Sequence, residues 1–484
     1  MRPLEVVFVA ILLGFLFAQT LRGVRREYVL ALAAAGLATI VVSAFLEQLR
    51  WQMALGYVLF VALSLLLFKR SHSHVAVRSA GVFVGAVLVV IAVTLSLGLP
   101  ILMLPPPDGP SVVGSTSLSL VDNSRNNSLF GAPDEKREIY VQAWYPGAVV
   151  DGQATARAKT LWQELYRGDL DFFTVFSGYL RGVPTQSYED IPMASAPAPY
   201  PVIVFSHAMG SFAEQNTLLM EHLASHGYVV FALSHPYASG RAVLADGKAI
   251  YPNFATINAA SAQAAAVDAE LLPQIERADA AERAGLHMQR YERSTELGAI
   301  AAVWVDDLRF VLDALGAPAG RYPRLREFSG RIAAGRVGLL GMSFGGGAVT
   351  EFCKSDARCA AAMNMDGGTY GQRQRQPLQV PYLALIREGQ RSLDYLLATS
   401  LSDCYRVEVE GTTHLDFTDD PIVLPILSWA GITGSIAAER IVAITQVVAL
   451  RFFDAYLRSG PKPRFDGDLP ELTVEMNDAA RASE

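Results

Sequence analysis

Val337-Gly338-Leu339-Leu340-Gly341-Met342-Ser343-Phe344-Gly345-Gly346-Gly347 runs from apolar, strand-forming residues through Gly-x-Ser-x-Gly into small residues that open a helix. A serine on so tight a strand-to-helix turn needs neighbours without side chains, because a Cβ beside it would meet crossing backbone. The helix that follows points unpaired N–H groups toward the turn and favours negative charge there. With 39 glycines in the chain such a pattern can arise by chance, so the elements around it decide its meaning.

On both sides of this turn, short β-branched runs alternate with amphipathic stretches. Strands are predicted over 139–144, 202–205, 229–233, 337–340, 360–365, 382–386 and 405–409, and helices over 213–225, 297–315 and 442–457. Such alternation predicts an α/β fold with a mostly parallel sheet and helices on both faces. The interval 240–295 is too long for a plain connection, and its Asp246-Gly247 turn and alanine-rich stretch read as an insertion.

A serine nucleophile needs a base, and the chain has 8 histidines. His222 and His226 lie at a helix end, His235 follows a strand, and His287 sits in the insertion; these read as structural. His72 and His74 fall in a short polar loop and read as solvated. His414 follows the last predicted strand within Glu410-Gly411-Thr412-Thr413-His414-Leu415-Asp416-Phe417, and the order serine before histidine suits the pattern. For the acid that orients it, Asp366 at the end of 360–365 competes with Glu388 or Asp394 after the next strand, and the residues alone leave that choice open. The turn Ser206-His207-Ala208-Met209-Gly210 and the amide of Phe344 are placed to donate N–H bonds to an oxyanion, with His207 a structural hydrogen-bonder.

The N-terminal residues belong to another solvent. Apolar runs over 4–21, 28–46, 51–68 and 79–104 approach the ~20 residues a bilayer helix needs, so four transmembrane helices are expected. Arg22, Arg25 and Arg26 lie between the first two, and Lys69, Arg70 and Arg78 between the last two, while Arg50 is offset by Glu47. Positive loops stay cytoplasmic, which places everything after Leu104 outside the cytoplasm. Pro105-Pro106-Pro107-Asp108-Gly109-Pro110 then breaks the helix. The expected organisation is a membrane anchor over 1–104, a linker over 105–134, an α/β catalytic domain over 135–465 and a polar tail over 466–484. With 32 basic and 44 acidic side chains beyond residue 104, that remainder stands at −12, which excludes a phosphate-backbone partner. Metal and cofactor motifs are absent, and the 3 cysteines form no CxxC pair. In an oxidising compartment Cys353 and Cys359 are placed to pair.

Gly-Met-Ser-Phe-Gly-Gly, Phe-Ser-His-Ala-Met-Gly, Leu-Ala-Ser-His-Gly-Tyr, Met-Asp-Gly-Gly and Gly-Thr-Thr-His-Leu-Asp-Phe together resemble the plasma-type platelet-activating factor acetylhydrolases, over residues 138–457. The resemblance implies an α/β-hydrolase fold, a Ser343, His414 and Asp366 triad, an oxyanion hole of Met209 and Phe344, and no cofactor. The implied substrates are phospholipid esters with short or oxidised acyl chains, reached from the membrane lipids. Two departures stand out: Ala208-Met209 replaces the commoner Gly-x, and Met342 stands in the elbow where histidine is common, altering the roof of the acyl site. Alternatives are a general or cutinase-like polyester hydrolase and an inactive binding module of the same fold. The aromatic stretch 160–183, with Trp162, Phe172, Phe173, Phe176 and Tyr179, is expected to form a helical cap or interfacial face, and the apolar run 422–432 to line the acyl pocket.

Overall fold

The computed structural model describes residues 1–21, 24–46, 50–68, 75–99, 102–148, 158–162, 180, 183–244, 246–318, 320–465 and 467–477. His72, His74 and most of the aromatic stretch, including Phe172, Phe173, Phe176 and Tyr179, lie outside them. The chain divides into two compact units, one of residues 1–102 with Val423–Trp429 and one of residues 103–422 with 430–484.

The first unit is made of helices Pro3–Thr20, Arg26–Leu46, Ala54–Phe68 and Val75–Gly98. Three spans, Pro3–Thr20, Arg26–Leu46 and Ser79–Gly98, are long and apolar enough to cross a membrane. The third expected span falls short: Ala54–Phe68 has 15 residues, and its first turn is the 3-10 segment Trp51–Met53. The fourth stops at Gly98 rather than Leu104, just ahead of Pro100, whose ring disfavours helical backbone in the residue before it. Outward side chains are large and apolar, Phe45 and Phe83 among them, while Phe8, Leu12, Phe15 and Phe60 pack inside. Glu5 is buried against Arg50 at 3.3 Å, so Arg50 is neutralised by the first helix. Val423–Trp429, most of the run expected beside the acyl pocket, groups with these helices instead.

In the second unit all seven predicted strands are present within one eleven-stranded sheet. In chain order the strands are β1 (Val112–Asn127), β2 (Ala132–Gly147), β3 (Ala158–Thr160), β4 (Pro184–Glu189), β5 (Tyr200–Ser206), β6 (Val229–Ser234), a two-residue pair β7 (Ala242–Val243) and β8 (Ala249–Ile250) outside the sheet, β9 (Ile332–Met342), β10 (Cys359–Met365), β11 (Tyr382–Arg387), β12 (Cys404–Val409) and β13 (Leu472–Met476). The sheet order is β13-β12-β11-β10-β9-β5-β6-β2-β1-β4-β3, and the stretch from β12 to β6 is wholly parallel. Side chains alternate between its faces. Val202, Val204, Val337 and Leu339 join one buried layer, and Ile203, Phe205, Leu340 and Met342 the other. Helices Thr295–Leu315 and Phe344–Cys353 cover the first face, and Thr217–Ser225 and Ala438–Leu457 the second.

Two stretches expected as linker and tail are strands. β1 pairs antiparallel with β2 from Val112↔Gly147 onward, although its sequence is serine-rich. Only Val113, Leu118 and Leu120 need to be apolar to seat it, because ladder bonds come from backbone that every residue carries. β13 pairs antiparallel with β12 from Leu472↔Val409 to Met476↔Tyr405, inside the expected polar tail. The insertion forms the β7–β8 hairpin, with Gly247 at φ +88° in its turn, and helices Phe254–Arg277 and Ala280–Arg293. Cys353 and Cys359 are joined by a disulfide with Cα atoms 5.3 Å apart, and Cys404 is free and buried.

Candidate active site

Chain order around the parallel strands reverses between β5 and β9, and ligands bind open sheets of this kind outside the strand carboxyl ends at such a point. Ser343 sits there, between β9 and its helix, at φ 55° and ψ −121°. That strain is held by close backbone approach. A Cβ on Gly341 would stand 2.3 Å from the Gly345 carbonyl oxygen, and one on Gly345 2.1 Å from that of Ser206.

The carboxyl ends of β10 and β12 supply the partners, Asp366 and His414. His414 Nε2 lies 2.9 Å from Ser343 Oγ, and His414 Nδ1 lies 2.5 Å from Asp366 Oδ2. Asp366 ends β10 at φ 49°, its side chain fully buried, while Ser343 and His414 remain partly exposed. Of the three carboxylates that the residues left in competition, Asp366 is the one at hydrogen-bond distance from the His414 ring. Glu388 accepts the Gly411 N–H at 3.0 Å instead, and Asp394 pairs with Arg391 and Arg406.

Two supports escaped the sequence reading. Arg387, the last residue of β11, donates Nη1 to Asp366 Oδ2 at 2.5 Å and its backbone N–H to Oδ1 at 3.2 Å. Asp416, two residues past His414, accepts from the Thr413 N–H at 2.6 Å, Thr413 Oγ1 at 2.9 Å and the Gly434 N–H at 2.7 Å, which fastens the turn carrying the imidazole. The Asp416 position was legible in part, since Thr413-x-x-Asp416 has the spacing of a capping box.

At the end of β5 the Ala208 N–H donates to Gln215 Oε1 and the Gly210 N–H to the Ala238 carbonyl, each at 2.8 Å, so Met209 lies between two committed amides. The positive φ of this turn falls on Gly210, at +77°, so Ala208 carries no left-handed strain. Phe344 is the first residue of its helix, where an N–H has no intrahelical acceptor. Its ring packs on Trp304 and Tyr370. Met342 is fully buried in the sheet layer, a core side chain rather than a roof. His207 donates Nδ1–H to the Ala208 carbonyl at 2.6 Å and accepts the His235 N–H at 3.2 Å; burial, then the His235 charge, pushes its pKa down to about 3.

A second Ser-His-Asp chain lies one strand away. Ser206 Oγ is 3.0 Å from His235 Nε2, and His235 Nδ1 is 2.9 Å from Asp307 Oδ2. All three are sealed from solvent, with His235 stacked on Trp304 at 3.9 Å and Asp307 clamped by Arg137 at 2.6 Å and Arg125 at 2.9 Å. Desolvation opposes the Asp307 charge, yet these partners hold its carboxyl below the ordinary range. Hydrogen-bond distances alone do not separate the two constellations; exposure does, since Ser343 and His414 are partly exposed.

The mostly parallel sheet with helices on both faces fits an α/β-hydrolase, and the family and structural likeness that follow support the class of carboxylic ester hydrolases. The chain belongs to the family of platelet-activating factor acetylhydrolase, isoform II, whose model matches residues 109–462. It is similar to the solved ferulic acid esterase from Streptomyces cinnamoneus, at 25% identity and a TM-score of 0.59, over 78% of this chain and 99% of that one. No curated protein matches it.

Proposed function

We propose that this protein is a membrane-anchored serine esterase that cleaves short or oxidised acyl esters of phospholipids through an acyl-enzyme. The observation that carries the reading is the hydrogen-bonded series Ser343, His414, Asp366 at the carboxyl ends of β9, β12 and β10, with the serine partly exposed. Ser343 Oγ attacks the ester carbonyl as His414 Nε2 takes its proton, and the oxyanion meets the Met209 and Phe344 N–H groups. Collapse expels the alcohol, which takes the proton from His414. Water, deprotonated by the same nitrogen, then releases the acid and restores Ser343. Asp366 fixes the imidazole tautomer and balances its charge. No metal or cofactor enters this sequence.

The lipid substrate class rests on the family and on the apolar helices, which would hold the site near a bilayer. Trp51–Met53 and Ala54–Phe68 together reach ~28 Å, close to the ~30 Å hydrocarbon thickness, and on that basis we retain four crossings and an extracytoplasmic hydrolase unit. A phosphatase reporter that works only outside the cytoplasm should be active when fused after Glu484; an inactive phosphatase fusion, with a cytoplasm-active reporter working at the same point, would overturn the orientation. A second reading, a general esterase, is favoured by the likeness to a ferulic acid esterase. Wild type and Ser343→Ala assayed on p-nitrophenyl esters, short- and long-acyl phosphatidylcholines and a polyester decide between them. Turnover of short-acyl phosphatidylcholine supports the lipid reading, and hydrolysis of simple esters or polyester alone removes it.

A further inference from the structure

His222 and His226 are one helical turn apart at the C-terminal end of Thr217–Ser225, their ring centroids 4.6 Å from each other. Asp108, in the segment that leads from the apolar helices into the hydrolase unit, places Oδ1 3.0 Å from His222 Nδ1 and 2.9 Å from His226 Nε2. One donor atom from each of the three lies within 4.8 Å of the others. We propose that these three side chains bind a divalent transition-metal cation of the zinc class, which staples the incoming segment to the helix end.

Several observations support it. Two imidazoles and one carboxylate are the donor set of zinc-type cations, whereas magnesium and calcium take oxygen donors. Bonds of ~2.0–2.1 Å to a tetrahedral ion separate its ligands by ~3.3 Å, so the two Asp108–histidine distances need to open by only a few tenths of an ångström, while the two histidine nitrogens already lie within 4.8 Å of each other. Asp108, 78% exposed, is free to make that adjustment. The His222 side chain is only 4% exposed and its Nε2 is buried with no hydrogen-bond partner, so among the described residues Asp108 at Nδ1 is the one polar contact the ring makes. The backbone is organised without the side chains: the Gly109 N–H donates to Ser225 Oγ at 3.2 Å and the Ser111 N–H to the Ser225 carbonyl at 3.0 Å. Gly109 is needed for this approach, as a Cβ would stand 2.3 Å from Ser225 Oγ. A helix C-terminus also favours positive charge.

The site is separate from the ester chemistry. Thr217–Ser225 leaves the carboxyl end of β5 and returns to the start of β6, so its last turn lies toward the sheet edge opposite Ser343. With three protein ligands the fourth position falls to water, and the ion acts as a cross-link.

The test uses full-length protein in detergent, stripped with chelator and titrated with Zn²⁺ and, separately, Co²⁺. Wild type should bind one tight equivalent of Zn²⁺ and give the visible d–d bands of tetrahedral Co²⁺. Asp108→Asn and His226→Gln should each weaken Zn²⁺ binding about 10-fold or more and remove those bands, with the thermal unfolding of the metal-free proteins unchanged. Zn²⁺ bound equally by wild type and the double variant, or not bound by wild type at all, would overturn the proposal. Because the readout is the metal, it fails or succeeds independently of the esterase reading.

Discussion

Replacing Asp366 with Asn probes the acid through its three hydrogen bonds. Oδ2 accepts from both His414 Nδ1 and Arg387 Nη1, each at 2.5 Å, and Oδ1 accepts the Arg387 N–H at 3.2 Å. An asparagine oxygen at the Oδ2 position keeps the first two contacts and sets its amide against the Arg387 N–H. The reverse orientation faces Arg387 Nη1 with a donor and turns His414 into the tautomer that cannot take the serine proton. The first is therefore favoured, and what it loses is charge. A carboxylate ~4 Å from the imidazolium centre at an effective dielectric of ~20 stabilises it by ~4 kcal/mol. Arg387, left without its carboxylate, adds repulsion. Turnover of p-nitrophenyl acetate by Asp366→Asn should accordingly fall about 10³-fold, while Glu388→Gln, which disturbs only the Gly411 contact, falls less than about 10-fold. An Asp366→Asn enzyme within about 10-fold of wild type, or a Glu388→Gln enzyme more damaged than it, would refute the assignment.

Ser206→Ala should keep esterase activity within a few-fold and cost about 1–2 kcal/mol of stability, since it removes one buried hydrogen bond; loss of fluorophosphonate labelling in Ser206→Ala with labelling retained in Ser343→Ala would reverse the two constellations. Alkylation of unfolded, unreduced protein should modify Cys404 alone, and modification of Cys353 or Cys359 in mass spectra would break the disulfide assignment. His207 has a folded pKa of about 3 against about 6.5 unfolded, so between those values the unfolded chain binds more protons. Stability should therefore fall as pH drops below about 6.5, by up to about 1.4 kcal/mol per pH unit, and denaturant titrations at pH 7 and 5 should show a smaller loss for His207→Gln; an equal loss would exclude the ring as a source.

What the chain announced locally was correct where local chemistry is sufficient. The elbow was legible at Gly341 and Gly345 because a crossing backbone excludes any Cβ there, and β5, β6, β9, β10, β11 and β12 were legible because a strand buried on both faces must be apolar throughout. Asp366 was reached only through family resemblance. Among the residues themselves it competed with Glu388, and the decision lies in which carboxylate β10 and β11 bring to the imidazole. The serine-rich β1 and the polar β13 were unreadable because ladder bonds come from backbone that every residue carries, so few apolar side chains are needed to seat them. The third apolar run did not show that its first three residues fold as a 3-10 turn, which leaves an α-helix of 15 residues. Arg387, Asp416 and the buried Ser206, His235 and Asp307 series have no signature of their own, because each acts on a residue distant in the chain. Sequence by itself determined which residues could do chemistry at a strand end; tertiary structure decided which of two similar serine relays meets solvent, since access is a property of packing and not of spacing.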